Sequence, residues 1–342
     1  MNLLQKLNPR GRRASGSKID HDIERILEEV SRGVLATRFD LVRMNILANR
    51  QFIRKGGGDD FFQIREFQVG DAWRAVDARK TMSTGGQKIL VREYRPEVQD
   101  AWYIVFDGSP THNFSGLRQS KLDVCARAAA TVLMCAKTMD DLVGCIVYSG
   151  SEVVFHCRPN YPRIVMDEIL RIMLQPPFAP GNPDEGLAKA IDELPNDGPT
   201  NLVWITDGLN LQEAGLESLK LLADMQGARK VVVPQDYREQ YLPAPSWHSL
   251  WIAPRRKVFD LRTHRPYYFK TNRAAREAYT REWQEHNKWL TDVLAARRLD
   301  PVFVQTEHQP ETAVGNSEER EEALLAQRIK AIQDMIEAFA SL

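Results

Sequence analysis

The fold is decided by residues 101–111, which read AWYIVFDGSPT. The first six residues are apolar, include two β-branched and three aromatic side chains, and precede a Gly and a Pro. This pattern is typical of a buried parallel strand that ends in a tight loop. Asp107, Ser109 and Thr111 then occupy alternate positions, so an extended loop presents one carboxylate and two hydroxyl groups on the same side. We therefore predict a site for a hard cation after this strand.

A second apolar run, residues 201–206, is followed by another acid, Asp207. In open α/β sheets, ligands bind outside the carboxyl ends of the strands, where neighbouring strands send their helices to opposite faces. If the two strands are neighbours, their acids share one site. Mg²⁺ uses few protein carboxylates and keeps several waters, so Asp107, Ser109, Thr111 and Asp207 would hold it with room for a ligand from a partner.

Two sets of motifs carry a resemblance to known families. DGSPT at residues 107–111 and TDG at residues 206–208 resemble the metal-ion-dependent adhesion site of von Willebrand factor A domains. Upstream, GGGDDFFQIREF at residues 56–67 and GDAWRAVDAR at residues 70–79 resemble the bacterial family called domain of unknown function 58. The similarity extends from about Leu35 to Thr306, and its motifs occur in the order typical of that family.

The resemblance implies a doubly wound, mostly parallel α/β sheet with a von Willebrand factor A-like domain in residues 98–310. The alternation of predicted strands and helices favours the same fold. Before this domain we expect a basic tail and a helix in residues 1–34 and an irregular β-containing subdomain in residues 35–97. After it, residues 311–342 are predicted to form an amphipathic helix that packs on its own domain.

The resemblance also implies a further metal ligand, a Thr in a loop before a later helix. Pro183 occupies the matching position here and offers no side-chain oxygen. Asn182 or Asp184 would have to replace that Thr, or the ligand is missing. The expected ion is Mg²⁺, with Mn²⁺ or Ca²⁺ as alternatives.

As a function, the resemblance implies a non-enzymatic adaptor that works with a MoxR-type AAA+ ATPase in chaperone-like remodelling or complex assembly. In that interpretation the metal accepts a carboxylate from an acidic residue of the partner. One alternative is a haloacid-dehalogenase-like phosphohydrolase with Asp107 as the nucleophile, although Ser109 stands where those enzymes have a second Asp. The other alternative is a metal-free scaffold, which Pro183 supports.

A cluster of charged residues upstream forms a second candidate site for partner binding. Arginine recognises carboxylates and phosphates through paired hydrogen bonds. Because the arginines alternate with acids, a structural network of ion pairs is the simpler interpretation. The cluster consists of Arg65, Asp71, Arg74, Asp77 and Arg79.

Composition and charge argue against several classes of function. The chain has 46 basic and 46 acidic residues, so its formal charge of zero argues against a broad nucleic-acid surface. No apolar run has the length of a membrane span, and the four separated cysteines lack disulfide or zinc spacing. We therefore expect a reduced, cytoplasmic protein. Residues 1–18 are basic and are expected to be flexible, and a helix is predicted from Asp20 to about Gly33.

Overall fold

The structure is a computed structural model. Two compact units divide the chain: Met1–Phe39 with Asp100–Leu342, and Asp40–Gln99. The structure describes residues 9–37, 60–68, 73–85, 87–95, 100–114, 119–195, 200–211, 213–225, 227–240, 255–259, 266–270, 272–306 and 317–340.

Helices and strands alternate along most of the chain. The helices are α1 (Pro9–Ala36), α2 (Ala78–Ser83), α3 (Lys121–Met139), α4 (Pro162–Leu174), α5 (Pro183–Asp192), α6 (Glu213–Asp224), α7 (Tyr237–Gln240), α8 (Arg273–Ala295) and α9 (Ser317–Ala340). The strands are β1 (Asp60–Glu66), β2 (Leu90–Arg95), β3 (Ala101–Asp107), β4 (Leu142–Ser149), β5 (Glu152–Asn160), β6 (Asn201–Ile205), β7 (Arg229–Gln235), β8 (Arg255–Phe259), β9 (Pro266–Lys270) and β10 (Asp300–Gln305). Among the helices that the structure describes, none combines the length and the apolar character that crossing a bilayer requires.

The larger unit is built on a six-stranded sheet with the strand order β10-β7-β6-β3-β4-β5. Neighbouring strands are parallel, except that β5 runs antiparallel to β4. The predicted α/β fold with a mostly parallel sheet is therefore confirmed. Strands β3 and β6 are neighbours, with Phe106 paired to Ile205, so both strands end at the same edge of the sheet.

Strand β3 lies at the centre of this sheet and is buried on both faces. Every residue from Trp102 to Asp107 is buried, as expected for a parallel strand covered by helices on both sides. On one face, Tyr103 and Val105 share an apolar core with Leu187 of α5 and Leu219 of α6. Helix α3 packs in a second group of helices with α1, α4 and α9.

Helix α1 begins earlier than its sequence pattern predicts. Residues 9–18, which composition suggests are flexible, are helical, while residues 1–8 lie outside the described part of the chain. Proline is tolerated at the first position of a helix, and the Arg, Ala and Lys residues that follow favour helix formation. The helix predicted from Asp20 is present, and its apolar residues Ile23, Ile26 and Val30 are buried.

A buried carboxylate joins three helices of the larger unit. Glu29 of α1 accepts hydrogen bonds from Arg127 Nε of α3 at 2.7 Å and from Arg328 Nη1 of α9 at 2.6 Å. Burial alone would raise the pKa of Glu29, but the two guanidinium groups outweigh burial and lower it below 4.5. Glu29 therefore stays charged and holds α1, α3 and α9 together.

The smaller unit contains an antiparallel pair of strands and a short helix. Strands β1 and β2 pair between Asp60 and Arg95 and again between Glu66 and Leu90. Asp77 caps helix α2 by accepting a hydrogen bond from the Lys80 backbone N–H at 3.0 Å.

We expect Glu29→Gln to lower the free energy of unfolding by about 3–5 kcal/mol at neutral pH, because it removes the buried negative charge that pairs with Arg127, Arg328 and Arg25. A carboxylate with a lowered pKa stabilises the fold above its ordinary pKa of 4.5, and this stabilisation is lost as the pH falls through the lower value of the folded state. Urea unfolding should therefore show a difference between the two proteins that is constant above 4.5 and shrinks below it.

Glu28→Gln provides the matched control, because Glu28 is exposed and, within the described part of the chain, pairs only with Arg32 four residues along the same helix. Its effect should stay near 0.5 kcal/mol. A loss in Glu29→Gln that does not depend on pH would contradict the proposed role of the Glu29 charge.

Candidate metal centre

The two strand-end acids meet at the carboxyl edge of the sheet. Asp107 is 2 % exposed and Asp207 is 5 % exposed. Together with the buried His112, they offer metal-ligand atoms that all lie within 4.8 Å of one another. The structure therefore contains an Asp/His/Asp cluster that is able to hold a metal ion.

Asp107 is held by the hydroxyl-bearing residues around it. Its Oδ1 accepts hydrogen bonds from the backbone N–H of Ser109 at 3.0 Å and from the Ser109 hydroxyl. Its Oδ2 accepts one from the Thr206 hydroxyl at 3.0 Å. Burial raises the pKa of Asp107, and the neighbouring charge of Asp207 adds to that rise, while His112 and Ser109 oppose it.

Asp207 has a cationic partner. Its Oδ1 accepts a hydrogen bond from the Leu209 backbone N–H at 3.1 Å, and its Oδ2 accepts one from Lys121 Nζ at 2.9 Å. Burial would raise the pKa of Asp207, but the Lys121 ammonium group, with help from His112, holds it far below its usual range. Asp207 is therefore charged, and Lys121 balances it.

Lys121 is fully buried and joins two acids. Its Nζ also donates to Glu239 of α7 at 2.8 and 3.1 Å. Burial disfavours the charged ammonium group, yet Asp207 and Glu239 outweigh burial and raise the pKa of Lys121. Burial raises the pKa of Glu239, and Lys121 offsets that only in part.

Lys121 was not predicted as part of the site, because a lysine beside a helix start is usually exposed. One signal was available. Lys121 is the first residue of α3 and directly follows the N-cap Ser120. The side chain of Ser120 forms a capping box with Asp123 in the first turn of the helix. A cation at this position opposes the positive end of the helix dipole, so its presence there indicates a nearby acid.

His112 and Thr111 bring polar atoms that have little to bind in the described part of the chain. The His112 ring is fully buried, lies edge-on to Phe106 at 5.5 Å, and has no hydrogen-bond partner on either nitrogen. Thr111 Oγ1 is buried without a hydrogen bond of standard geometry, although its proximity to Asp207 helps to lower the pKa of that acid. Because the sequence contains no paired-histidine motif, His112 was not among the predicted ligands.

The two proposed substitutes for the missing Thr have other contacts. Asn182 caps α5 by accepting a hydrogen bond from the Asp184 backbone N–H at 3.2 Å. Asp184 is buried against α6, where a Cβ on Gly215 would lie 2.3 Å from Asp184 Oδ1. Among the described acids and histidines, Asp184 does not belong to the cluster of Asp107 and its neighbours.

Helix α8 lies over the end of β6. Gly208 has a φ of +67°, and a Cβ on it would lie 2.7 Å from Leu290 of α8. Beside it, Asn287 accepts a hydrogen bond from Gln235 Nε2 at 2.9 Å. Burial lowers the pKa of His286 on the same helix, whereas the charge of Asp207 opposes that change. Helix α8 therefore packs closely against the loop that follows β6.

The structure describes four of the five members of the charged cluster in the smaller unit. Asp77 pairs with Arg92 Nε at 2.8 Å, a residue outside the predicted set, and this contact lowers the pKa of Asp77. Arg65 Nη1 donates to the Glu66 carbonyl at 3.1 Å. Arg74 and Arg79 are exposed, and Asp71 lies outside the described residues.

Charge and donor chemistry together test whether this centre suits a divalent cation. Among the described residues, Lys121 pairs with Asp207 and Glu239, whereas the buried Asp107 has no lysine or arginine partner. Unbalanced carboxylates are costly to bury, so a second cation would stabilise the cluster. The unpartnered nitrogens of His112 are suitable ligands for a transition metal, whereas Mg²⁺ prefers oxygen. The residues therefore fit a divalent cation, with Lys121 retained as the partner of Glu239.

Comparisons with known proteins give one family and several distant structures. A family model described as "Protein of unknown function DUF58" matches residues 63–289. The chain is similar to the conserved hypothetical protein BatB from Bacteroides thetaiotaomicron, at 16% identity over 68% of this chain and 98% of that one, with a TM-score of 0.37. An aerotolerance-related membrane protein from Bacteroides fragilis NCTC 9343 is similar at 16% identity over 68% of this chain and 99% of that one, with a TM-score of 0.39. A von Willebrand factor type A structure from Catenulispora acidiphila is similar at 9% identity over 71% of this chain and 44% of that one, with a TM-score of 0.28. No curated protein matches the chain.

We expect Lys121→Met to lower the free energy of unfolding by about 3–5 kcal/mol at neutral pH, because it leaves Asp207 and Glu239 buried without their shared cation. The double variant Lys121→Met/Glu239→Gln should recover part of this loss, since it removes one of the two orphaned charges. Urea unfolding of the three proteins measures both effects. A loss below about 1 kcal/mol in Lys121→Met would show that the ion pair is not formed in solution.

Proposed function

Because the chain belongs to the family of proteins of unknown function DUF58, whose model matches residues 63–289, we propose that it is a non-enzymatic protein-binding adaptor with a buried divalent-cation centre. One observation carries the proposal of a cation. Among the described residues, Asp207 and Glu239 share one ammonium group, Asp107 has no lysine or arginine partner, and the buried His112 beside them has both ring nitrogens without a hydrogen bond. A divalent ion supplies the missing positive charge.

The proposed ligands are Asp107, His112 and Asp207, with the hydroxyl groups of Ser109 and Thr111 beside them. These side chains belong to the loops that follow β3 and β6, so binding there fixes the two loops relative to each other. A bound divalent ion would supply charge compensation and rigidity to this edge of the sheet. Because the acids are buried, a partner's carboxylate does not reach the ion unless α8 moves, and we assign the ion a structural role.

The partner surface is proposed to lie on the smaller unit. Trp73 is 71 % exposed and Met82 is 78 % exposed, and the exposed Arg74 and Arg79 lie between them in the sequence. Trp73 stacks on Phe67 at 5.1 Å, which holds its ring in one orientation. Tryptophan and arginine dominate the binding energy of many protein interfaces, so this arrangement suits an adaptor. By resemblance of its sequence motifs, the proposed partner is a MoxR-type AAA+ ATPase in remodelling or complex assembly.

A metal-free scaffold is the second candidate, and Lys121 favours it. The ammonium group already neutralises Asp207, and a further ion is unnecessary if Asp107 is protonated. The phosphohydrolase alternative has no such support. Asp107 would have to reach a phosphate, whereas it is buried with both carboxylate oxygens accepting hydrogen bonds.

Calorimetric titration separates the two candidates. We expect Mn²⁺ to bind the protein more tightly than Mg²⁺, because His112 contributes a nitrogen ligand. His112→Ala should weaken Mn²⁺ binding about tenfold or more and affect Mg²⁺ less. Thr111→Val serves as the matched control, since it removes an oxygen and should affect the two ions alike. Absence of binding by either ion would reject the cation centre and leave the metal-free scaffold.

The partner surface has a separate test with purified proteins. We expect Trp73→Ala to weaken binding of a MoxR-type ATPase from the same genome by about 2 kcal/mol, measured by biolayer interferometry. Tyr268→Ala is the control, because Tyr268 is also an exposed aromatic residue, at 64 %, but lies in the larger unit. Equal losses in the two variants, or no binding by the wild-type protein, would contradict the proposed surface.

A further inference from the structure

Strand β10 forms one edge of the six-stranded sheet and pairs only with β7 among the described residues. The Thr306 N–H just after the strand donates inward to the Gln235 carbonyl at 2.8 Å. Backbone direction alternates along a strand, so Phe303 and Gln305 direct their N–H and C=O groups outward. Pro301 lies at another outward position, where the missing N–H removes no hydrogen bond to β7. An edge of this kind accepts an added strand.

A cavity of about 420 Å³ lies beside this edge, between β10, α3 and α9. Residues 302–306 of the strand segment form one wall. The ionisable side chains that line the cavity are unequal in charge, since there are three basic groups and one acid. They are Arg127, Arg328, Lys330 and Asp334.

Of these four groups, Arg127 is the buried one. It is 5 % exposed, and its Nη2 has no hydrogen-bond partner although its Nε bonds Glu29. Glu29 is shared, because Arg328 and Arg25 also donate to it. Arg25 also pairs with Asp22 and Asp123, whereas Arg127 Nη2 keeps no hydrogen-bond partner among the described residues. The side chains that line the cavity themselves carry more positive than negative charge. A carboxylate from outside would satisfy the buried Nη2.

The edge and the cavity together define the chemistry of the occupant. The strand offers backbone hydrogen bonds and the side chain of Phe303, which is 37 % exposed. The cavity offers positively charged side chains and a volume of about 420 Å³. We propose that β10 binds an extended peptide segment of a partner protein as an added strand, with an acidic side chain of that segment in the cavity against Arg127, Arg328 and Lys330. This site is independent of the cation centre and of the surface around Trp73.

Fluorescence anisotropy with a labelled acetylated hexapeptide, Val-Glu-Thr-Glu-Val-Glu, tests the proposal on the full-length protein. The same peptide with Lys in place of Glu is the charge control, and we expect it not to bind. Phe303→Pro removes an outward N–H without touching the pairing to β7, and it should weaken binding about tenfold. Lys330→Glu should weaken binding about threefold or more, because Lys330 is exposed on the rim of the cavity.

Lys288→Glu is the matched control, since Lys288 is exposed on α8 and does not line the cavity. Circular dichroism and the urea midpoint check that each variant is folded, and Arg127 is left intact because its loss would orphan Glu29. Equal binding of the Glu and Lys peptides, or unchanged affinity in Phe303→Pro, would overturn the proposal. Displacement of the Glu peptide by an equal concentration of free glutarate would also overturn it, because the cavity would then bind small anions and not a strand.

Discussion

The buried ammonium group of Lys121 is the contact on which the carboxyl edge of the sheet depends. A charge removed from water must meet an opposite charge at short range, and Lys121 meets two, one after β6 and one in α7. Because α3 begins at Lys121, this pairing also fixes where that helix starts against the sheet. The position of three segments that are distant in sequence is thus set by one side chain.

The larger unit contains two ionic clusters of opposite character, although the chain as a whole has a formal charge of zero. At the strand ends, Asp207 and Glu239 share the ammonium group of Lys121, and Asp107 has no lysine or arginine partner among the described residues. Between α1, α3 and α9, Glu29 accepts hydrogen bonds from three guanidinium groups, and Arg127 keeps one buried nitrogen without a partner in the described part of the chain. An imbalance of charge inside the low-dielectric interior attracts a counter-ion far more strongly than the net charge of the whole chain does. The first cluster therefore suits a cation and the second suits an anionic side chain.

The sequence was sufficient to predict the central strands and the meeting of Asp107 with Asp207. Both features have local signals, since an apolar run that ends in an acid marks a buried strand and the end of that strand. Lys121 and Glu239 were missed because their pairing depends on how separate helices reach the sheet edge, which no local pattern contains. His112 had no spacing motif, and the start of α1 was placed late because glycines outweighed the helix-forming residues around them.

The contact between α1 and α9 has a consequence for how the chain is made. Glu29 and Arg328 are 299 residues apart, and a Cβ on Gly33 would lie 2.6 Å from Ile332, so the two helices pack closely. At about 5–20 residues per second, a ribosome needs roughly 15–60 s to synthesise the residues between them. During that interval the apolar stripe of α1 and the outer side of α3 lack their final cover. Native packing of this helical layer therefore cannot be complete before α9 has been synthesised.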